Sequence, residues 1–173
     1  MTKKPDIPSM IRVNHAGEYG AIRIYQGQLA ILRDSSVGDT IQHMADQERE
    51  HFKIFDDAIK DRRVRPTVFS PLWHVAGFAL GAGSALLGKR AAMACTVAVE
   101  SVIDEHYRDQ MDQLENVAEE KPLLDVIKKC HAEEMEHHDT SLELEAEKMP
   151  GYRPFTTAVK AASKLAIFLS KRL

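Results

Sequence analysis

Two short motifs in this chain place a glutamate and a histidine three residues apart. They are Glu48-x-x-His51 and Glu134-x-x-His137. On a helix, residues at this spacing share one face, so each pair could offer a carboxylate oxygen and an imidazole nitrogen to one metal ion. The spacing alone is weak in a chain with 26 acidic residues, and a solvated, charged helix face is the alternative interpretation.

The two halves of the chain repeat this arrangement. Glu18 precedes a turn near residue 36, and the first motif follows that turn. Glu100 precedes a turn near residue 120, and the second motif follows it. In an antiparallel hairpin, residues at similar distances from the turn lie at similar heights along the two helices. The pattern is typical of ferritin-like bundles that bind two iron ions. It predicts six metal ligands: Glu18, Glu48, His51, Glu100, Glu134 and His137.

The predicted ligands also indicate the kind of metal. Two divalent ions would neutralise four carboxylates that would otherwise repel one another in an apolar core. Imidazole ligands favour iron over magnesium, and a carboxylate-rich set favours iron over zinc. We expect a further acceptor to orient each imidazole, and Asp46 is a candidate. The spacing alone does not decide between Glu133 and Glu134 as a ligand. In two reversed pairs, His15-x-x-Glu18 and His131-x-x-Glu134, the histidine precedes the glutamate, and we expect these histidines outside the ligand set.

Apolar residues at helical spacing predict an all-α protein without strands. The expected helices cover residues 10–34, 39–62, 90–119 and 122–149, followed by a basic, amphipathic helix over 153–173. Residues 1–9 are expected to form a flexible tail, because Pro5 and Pro8 interrupt regular structure, and residues 10–173 to form a single domain. Gly17 and Gly20 beside Glu18 predict close packing at a crowded interior, or else an exposed glutamate on an imperfect helix.

The segment 68–87 contains no Asp, Glu, Lys or Arg and is long enough for a membrane span. A buried crossover helix and a helix lying in the bilayer surface are the two alternatives. A single span would put the two hairpins on opposite sides of the bilayer, where they could not share one metal site. We therefore predict an apolar crossover helix over 68–89 that rests on a membrane together with the basic C-terminal helix. Ordinary core packing of this segment is the competing interpretation.

The composition excludes several other classes of protein. A net charge of −3 gives no signal for nucleic-acid binding, so no nucleic-acid partner is expected. Two cysteines provide no disulfide framework, which favours a reducing compartment. The first ten residues lack the apolar core of a secretory signal.

Long stretches of the chain resemble the demethoxyubiquinone hydroxylases, the di-iron monooxygenases of ubiquinone biosynthesis. The resemblance covers nearly the whole chain from Met10. The segments that carry it are IRVNHAGEYGA at 11–21, DQEREH at 46–51, RVRPT at 63–67, GFALGAG at 77–83, ACTVAVE at 94–100 and EEMEHHD at 133–139. The resemblance implies iron ligands at the six positions found by spacing, and it implies that His106 and Tyr107 lie close to the site as candidate catalytic residues.

The resemblance also implies a reaction. Two iron ions and O2 would hydroxylate the ring of a polyprenyl demethoxyubiquinol, with NADH supplying electrons and a lipid-binding accessory protein presenting the substrate. The isoprenoid tail would enter beside residues 68–99. The protein would be peripheral, on the cytoplasmic face of a bacterial inner membrane or the matrix face of the mitochondrial inner membrane. Phe168 departs from relatives that carry tyrosine there, which argues against an electron route through a hydroxyl at that position.

Two alternative functions use the same residues differently. A ferritin-like protein that oxidises and stores iron would need the same six ligands and a polar surface, against which the uncharged 68–87 segment argues. A helical interaction module without metal would leave the glutamates and histidines on solvated faces.

Overall fold

The computed structural model describes residues 5–172, and these form an all-α protein. The helices are α1 (Ile7–Leu32), α2 (Gly38–Asp61), α3 (Ser70–Leu86), α4 (Lys89–Leu114), α5 (Lys121–Glu143) and α6 (Tyr152–Arg172), with short 3-10 turns at Ala118–Glu120 and Ala146–Lys148. The described residues include no strand. The predicted all-α, ferritin-like four-helix bundle with a crossover helix and a C-terminal helix is confirmed.

The bundle consists of two helical hairpins. α1 packs along α2, and α4 packs along α5. α3 connects the hairpins and lies mainly along α1, while α6 packs against α4 and α1. One apolar cluster surrounds Leu29, Ile41 and Met93, and a second surrounds Ile11, Phe55 and Ile127. The predicted metal ligands lie in a polar layer between these two clusters, so hydrophobic packing on both sides holds the layer in place.

Several helix ends differ from the prediction. α1 begins at Ile7 rather than Met10, because the Asp6 side chain accepts a hydrogen bond from Ser9 N at 3.2 Å and caps the helix. Pro8 lies in the first turn, where a missing N–H costs nothing. Residues 1–4 of the predicted tail, and Leu173, lie outside the described residues. The division into a tail and a single domain stays a prediction.

The two helices of the second hairpin are shorter than predicted. α4 ends at Leu114 rather than near residue 119. α5 ends at Glu143 rather than near residue 149, because Glu145 adopts a left-handed conformation with φ 66° that a helix cannot continue through. The predicted opening of α5 by Pro122 is confirmed, since this proline lies in its first turn.

Glycines bring α1 and α3 into backbone contact. A Cβ on Gly81 would overlap the carbonyl group of Ile24, and one on Gly27 would overlap the carbonyl oxygen of Phe78. The two helices therefore approach closely, which the Gly77-x-x-x-Gly81 spacing permits.

Within residues 5–172, no helix combines the length and apolar character that crossing a membrane requires.

Candidate metal centre

The structure brings all six predicted ligand residues together in one buried layer. Their ligand atoms form two groups, and within each group the atoms lie within 4.8 Å of one another. Glu48 and Glu134 belong to both groups. The first group adds Glu18 and His51, and the second adds Glu100 and His137. Each group thus offers three carboxylates and one imidazole, and two of the glutamates are common to both groups.

Both imidazoles direct Nδ1 towards the shared carboxylates. His51 Nδ1 lies 3.1 Å from Glu134 Oε1 and 3.4 Å from Glu18 Oε2. His137 Nδ1 lies 3.2 Å from Glu48 Oε1 and also 3.2 Å from Glu134 Oε2. Nδ1 is therefore the nitrogen that each histidine presents to the centre.

The other nitrogen of each imidazole donates a hydrogen bond away from the centre. His51 Nε2 donates to Glu133 Oε2 at 2.5 Å, and His137 Nε2 donates to Gln47 Oε1 at 2.9 Å. Because a carboxylate only accepts, Glu133 requires the hydrogen of His51 on Nε2. Glu133 therefore orients a histidine and is not in either ligand group, which separates it from Glu134. Asp46, the predicted acceptor, accepts from Gln42 and Arg49 instead, so that prediction is wrong.

Tyrosine hydroxyls hold the two outer carboxylates. Tyr107 donates to Glu18 Oε1, and Tyr25 donates to Glu100 Oε1 at 3.2 Å. His106, predicted near the site, contacts the amide of Gln110 at 2.6 Å, and its ring centroid lies 6.3 Å from that of Tyr107. Burial and nearby Lys171 lower the pKa of His106 to about 4. Tyr107 thus contacts a predicted ligand directly, whereas the hydrogen bond of His106 is to Gln110.

Sequence reasoning missed two residues that contact the centre, Tyr25 and Gln47. It also missed that Glu133 orients a histidine. A signal for each existed. Tyr25 follows Glu18 by seven residues, as Tyr107 follows Glu100, and this spacing of about two helical turns keeps both on one face. Gln47 and Glu133 each directly precede the glutamate of a Glu-x-x-His motif.

The reversed pairs lie outside both ligand groups, as expected. His15 Nε2 lies 3.4 Å from Asp56 Oδ1, and the His15 ring packs against Phe52. His131 Nε2 lies 2.7 Å from Asp104 Oδ1 near the surface. Both histidines therefore have acidic partners of their own.

Burial and mutual contacts shift the pKa values of the centre. Burial raises the pKa of Glu18 and of Glu100, and neighbouring carboxylates raise that of Glu100 further. Burial also opposes the charge of Glu134, but contacts with both histidines outweigh it and lower its pKa to about 2. Burial lowers the pKa of His137, yet its glutamate neighbours outweigh burial and raise it to about 9. For His51, contacts with a thiol and three glutamates likewise outweigh burial and raise the pKa. Because metal ligands must be deprotonated, metal binding at this centre would compete with protons.

Several atoms of the centre are buried without a hydrogen-bond partner among the described residues. They are Oε1 and Oε2 of Glu48, Oε2 of Glu134 and Nδ1 of His137. Three of these atoms lie at ion-pair distance, with His137 Nδ1 3.2 Å from both Glu48 Oε1 and Glu134 Oε2. A buried polar atom without a hydrogen bond costs on the order of 1–3 kcal/mol in a protein interior. Cations coordinated by these atoms would satisfy them, so the residues fit a pair of metal ions.

An apolar cavity of about 260 Å³ lies between α1, α3, α4 and α6, at the same level of the bundle as the ligand layer. Its lining includes Gly17, next to Glu18, and Val99, next to Glu100. A Cβ on Gly17 or Gly20 would meet no atom within 4 Å, so both glycines leave space open. Glu18 is buried, as the crowded-interior interpretation predicted, and the alternative of an exposed glutamate is wrong. The backbone of α3 approaches Gly20, since a Cβ on Gly77 would lie 3.0 Å from the Gly20 carbonyl oxygen, but the glycines leave space open on the side where their own side chains would project.

The antiparallel helices and their buried carboxylate and imidazole groups define a ferritin-like bundle protein with a site suited to two metal ions. Comparison with protein families gives a closer identification. The chain belongs to the family described as "Ubiquinone biosynthesis protein COQ7", whose model matches residues 5–170. The resemblance found in the sequence is therefore confirmed.

Known proteins are similar over most of their length. A Dictyostelium discoideum protein named "NADPH-dependent 3-demethoxyubiquinone 3-hydroxylase, mitochondrial" is 52% identical over 172 residues, covering 99% of this chain and 79% of that protein. A Bos taurus protein of the same name is 54% identical over 169 residues, with 96% and 78% covered. A Rhodospirillum rubrum protein named "3-demethoxyubiquinol 3-hydroxylase" is 51% identical over 169 residues, again with 96% and 78% covered. These names describe hydroxylases and do not favour the alternative of iron storage.

Proposed function

We propose that this protein is an O2-dependent di-iron monooxygenase that hydroxylates the ring of a polyprenyl demethoxyubiquinol in ubiquinone biosynthesis. One observation carries the proposal: Glu48 and Glu134 are shared between two buried ligand groups, beside an apolar cavity. The names of relatives about 50% identical to this chain support the substrate class.

The reaction replaces a ring C–H bond by C–OH. One oxygen atom of O2 enters the product and the other leaves as water, which consumes two electrons and two protons. When bound, the two iron ions supply the reductive activation of O2. They would be held by Glu18, Glu48, His51, Glu100, Glu134 and His137.

The chain's own residues position this centre and keep it dry. Tyr25 and Tyr107 fix the outer carboxylates, and Gln47 and Glu133 fix the imidazole rings. The apolar clusters on both sides of the layer exclude bulk water. Such fixed, water-excluded groups stabilise charge without having to reorganise during the reaction.

The cavity beside the centre suits the apolar part of the substrate. Apolar and small side chains of four helices line it, and Gly17 and Gly20 widen it on the α1 side. An isoprenoid tail in this cavity would lie beside α3 and α4, and the ring at its head would face the ligand layer. Burial of the tail would provide most of the binding energy, at roughly 25 cal/mol per Å² of apolar surface.

The electrons would come from a reduced nicotinamide nucleotide. The sequence resemblance implied NADH, whereas several relatives are named NADPH-dependent. NADPH is therefore the first electron donor to test, and NADH is the second.

A membrane surface would supply the substrate. Apolar side chains of the α3 region and α6 are exposed on the outside of the bundle: Val68, Leu72, Val75, Phe78, Leu86, Leu87, Leu165 and Phe168. Lys171 and Arg172 lie at the end of α6, where they could contact anionic headgroups. The protein would rest on the cytoplasmic face of a bacterial inner membrane or the matrix face of the mitochondrial inner membrane. A lipid-binding accessory protein could present the quinol at the same surface.

The test is incorporation of labelled oxygen. The protein is loaded anaerobically with Fe(II), mixed with a demethoxyubiquinol in phospholipid vesicles, and exposed to ¹⁸O2 with NADPH or NADH. We expect two irons per chain and one ¹⁸O atom per product molecule by mass spectrometry. Glu134→Ala should lose both, whereas Glu136→Ala, which changes an exposed glutamate of the same helix, should lose neither.

Stoichiometric iron binding without labelled product would overturn the proposed hydroxylase activity. Core formation on continued Fe(II) addition would then identify iron storage instead. Absence of stoichiometric iron would overturn the metal centre as well.

A further inference from the structure

The metal centre has an approximate two-fold symmetry that extends beyond its ligands. The outer glutamate of one hairpin is held by a tyrosine of the other hairpin. Tyr25 follows Glu18 by seven residues and holds Glu100, while Tyr107 follows Glu100 by seven residues and holds Glu18. The two ligand groups are therefore equal in their carboxylates, their imidazole and the hydroxyl that holds the outer carboxylate.

The residues that hold the imidazoles follow the same exchange between hairpins. Gln47, directly before Glu48, accepts from His137 at 2.9 Å. Glu133, directly before Glu134, accepts from His51 at 2.5 Å. The positions correspond, but the chemistry differs, because one acceptor is a neutral amide and the other a carboxylate.

This difference changes the two imidazoles as metal ligands. A carboxylate acceptor draws the Nε2 hydrogen more strongly than an amide, which makes Nδ1 of the same ring more basic and more electron-donating. Charge-assisted hydrogen bonds are also roughly twice as strong as neutral ones, so His51 is held more firmly in place. Removing such partners typically costs 10–100-fold in metal affinity.

The neighbours of Glu133 do not cancel its charge. Lys129 Nζ lies 3.7 Å from Glu133 Oε1, but the lysine side chain is 56% exposed and its charge is screened by water. The Glu133 side chain is 25% exposed, so the carboxylate links a buried histidine to the surface of the bundle.

We propose that the two metal positions are unequal: the position of His51 binds its ion more tightly than the position of His137, and Glu133 is the positioning residue responsible. This inference rests on the proposed two-metal centre but not on the proposed reaction. It predicts that a first metal equivalent fills the His51 position.

The experiment exchanges the two acceptors. The metal-free protein is titrated anaerobically with Co(II) against a competing chelator, and the two stepwise dissociation constants are measured for wild type, Glu133→Gln, Gln47→Glu and the double exchange. Electrostatic repulsion between two bound ions separates the steps in every variant, so the informative quantity is the change in their ratio.

Glu133→Gln should weaken the tighter step and reduce the ratio by about 10–100-fold. Gln47→Glu should instead strengthen the weaker step and reduce the ratio by a similar factor. The double exchange should restore two well-separated steps. Glu136→Gln removes one exposed carboxylate from the same helix and should leave the ratio unchanged, which controls for overall charge.

General damage to the fold cannot weaken the tighter step in one variant and strengthen the weaker step in the other. An unchanged ratio in Glu133→Gln, or weakening of the weaker step by that substitution, would overturn the proposal and leave the two-metal centre standing. Absence of Co(II) binding to the wild type would overturn the centre and this proposal together.

Discussion

The hydroxyl of Tyr25 donates a hydrogen bond to Glu100 Oε1 over 3.2 Å, between helices that belong to different hairpins. Both residues are buried, and burial raises the pKa of Tyr25 well above its usual value, so the hydroxyl keeps its proton. The equivalent bond joins Tyr107 to Glu18. These two bonds fasten the hairpins to each other at the level of the metal centre.

Removal of either hydroxyl should loosen an outer ligand without unfolding the protein. We expect Tyr25→Phe and Tyr107→Phe each to weaken metal binding by about tenfold, since each removes a hydrogen bond that orients a ligand. Circular dichroism should show unchanged helix content, because phenylalanine fills the same space. Stepwise Co(II) titration measures the effect, and metal affinity equal to that of wild type in both variants would show that the hydroxyls do not orient the ligands.

The carboxylate layer should make metal binding and folding stability interdependent. With Co(II) at a hundred times the dissociation constant of the weaker position, we expect thermal unfolding to report at least about 2.7 kcal/mol of added stability for each bound ion. Glu100→Gln should lose part of this gain, yet its metal-free form should be at least as stable as metal-free wild type, because an amide removes a buried acid from a group of acids.

Glu105→Gln is the matched control for that substitution. Glu105 lies on the same helix, is largely exposed and pairs with Lys164, so its amide variant should keep the full gain. A large loss of stability in metal-free Glu100→Gln would contradict the interpretation that the clustered acids destabilise the metal-free protein.

The glycines beside the cavity should determine which substrates fit. Gly20→Leu would project a side chain into open space rather than into protein atoms, so the fold should tolerate it. We expect the KM for a long-tailed quinol to rise by about tenfold or more, because the leucine occupies volume that the tail would fill. Iron content should not change, and steady-state kinetics with short and long tails measures the effect.

Gly83→Leu provides the control for that effect. Gly83 is also free of atoms within 4 Å, but it is exposed on α3 and does not line the cavity. Its substitution should leave KM unchanged, and equal changes in the two variants would show that the cavity does not hold the tail.

The exposed apolar side chains of α3 should determine membrane binding. Leu72→Asp and Val75→Asp each place a charge on this surface, where both wild-type residues are exposed. We expect each variant to lose most binding to vesicles that contain anionic phospholipid, measured by co-sedimentation. Ile31→Asp changes an exposed apolar residue of α1 and should bind like wild type. Equal binding by all variants would contradict a membrane contact through α3.

The sequence by itself determined the ligand set as a hypothesis and the helices that carry it. Both follow from local geometry, because residues three apart on a helix share a face whatever surrounds them. The sequence also excluded a single span at 68–87, since a span would separate two hairpins that must share one site. The ends of helices were less predictable, because caps such as Asp6 and the backbone conformation of Glu145 depend on single residues.

Only the tertiary structure decided which atoms meet across the bundle. The partners Tyr25 with Glu100, Gln47 with His137 and Glu133 with His51 lie far apart in the chain. Their pairing depends on how each helix is rotated about its axis, which many packing contacts determine together. The same holds for the cavity beside Gly17 and Gly20, because empty space between four helices is a property of their arrangement and not of any one segment.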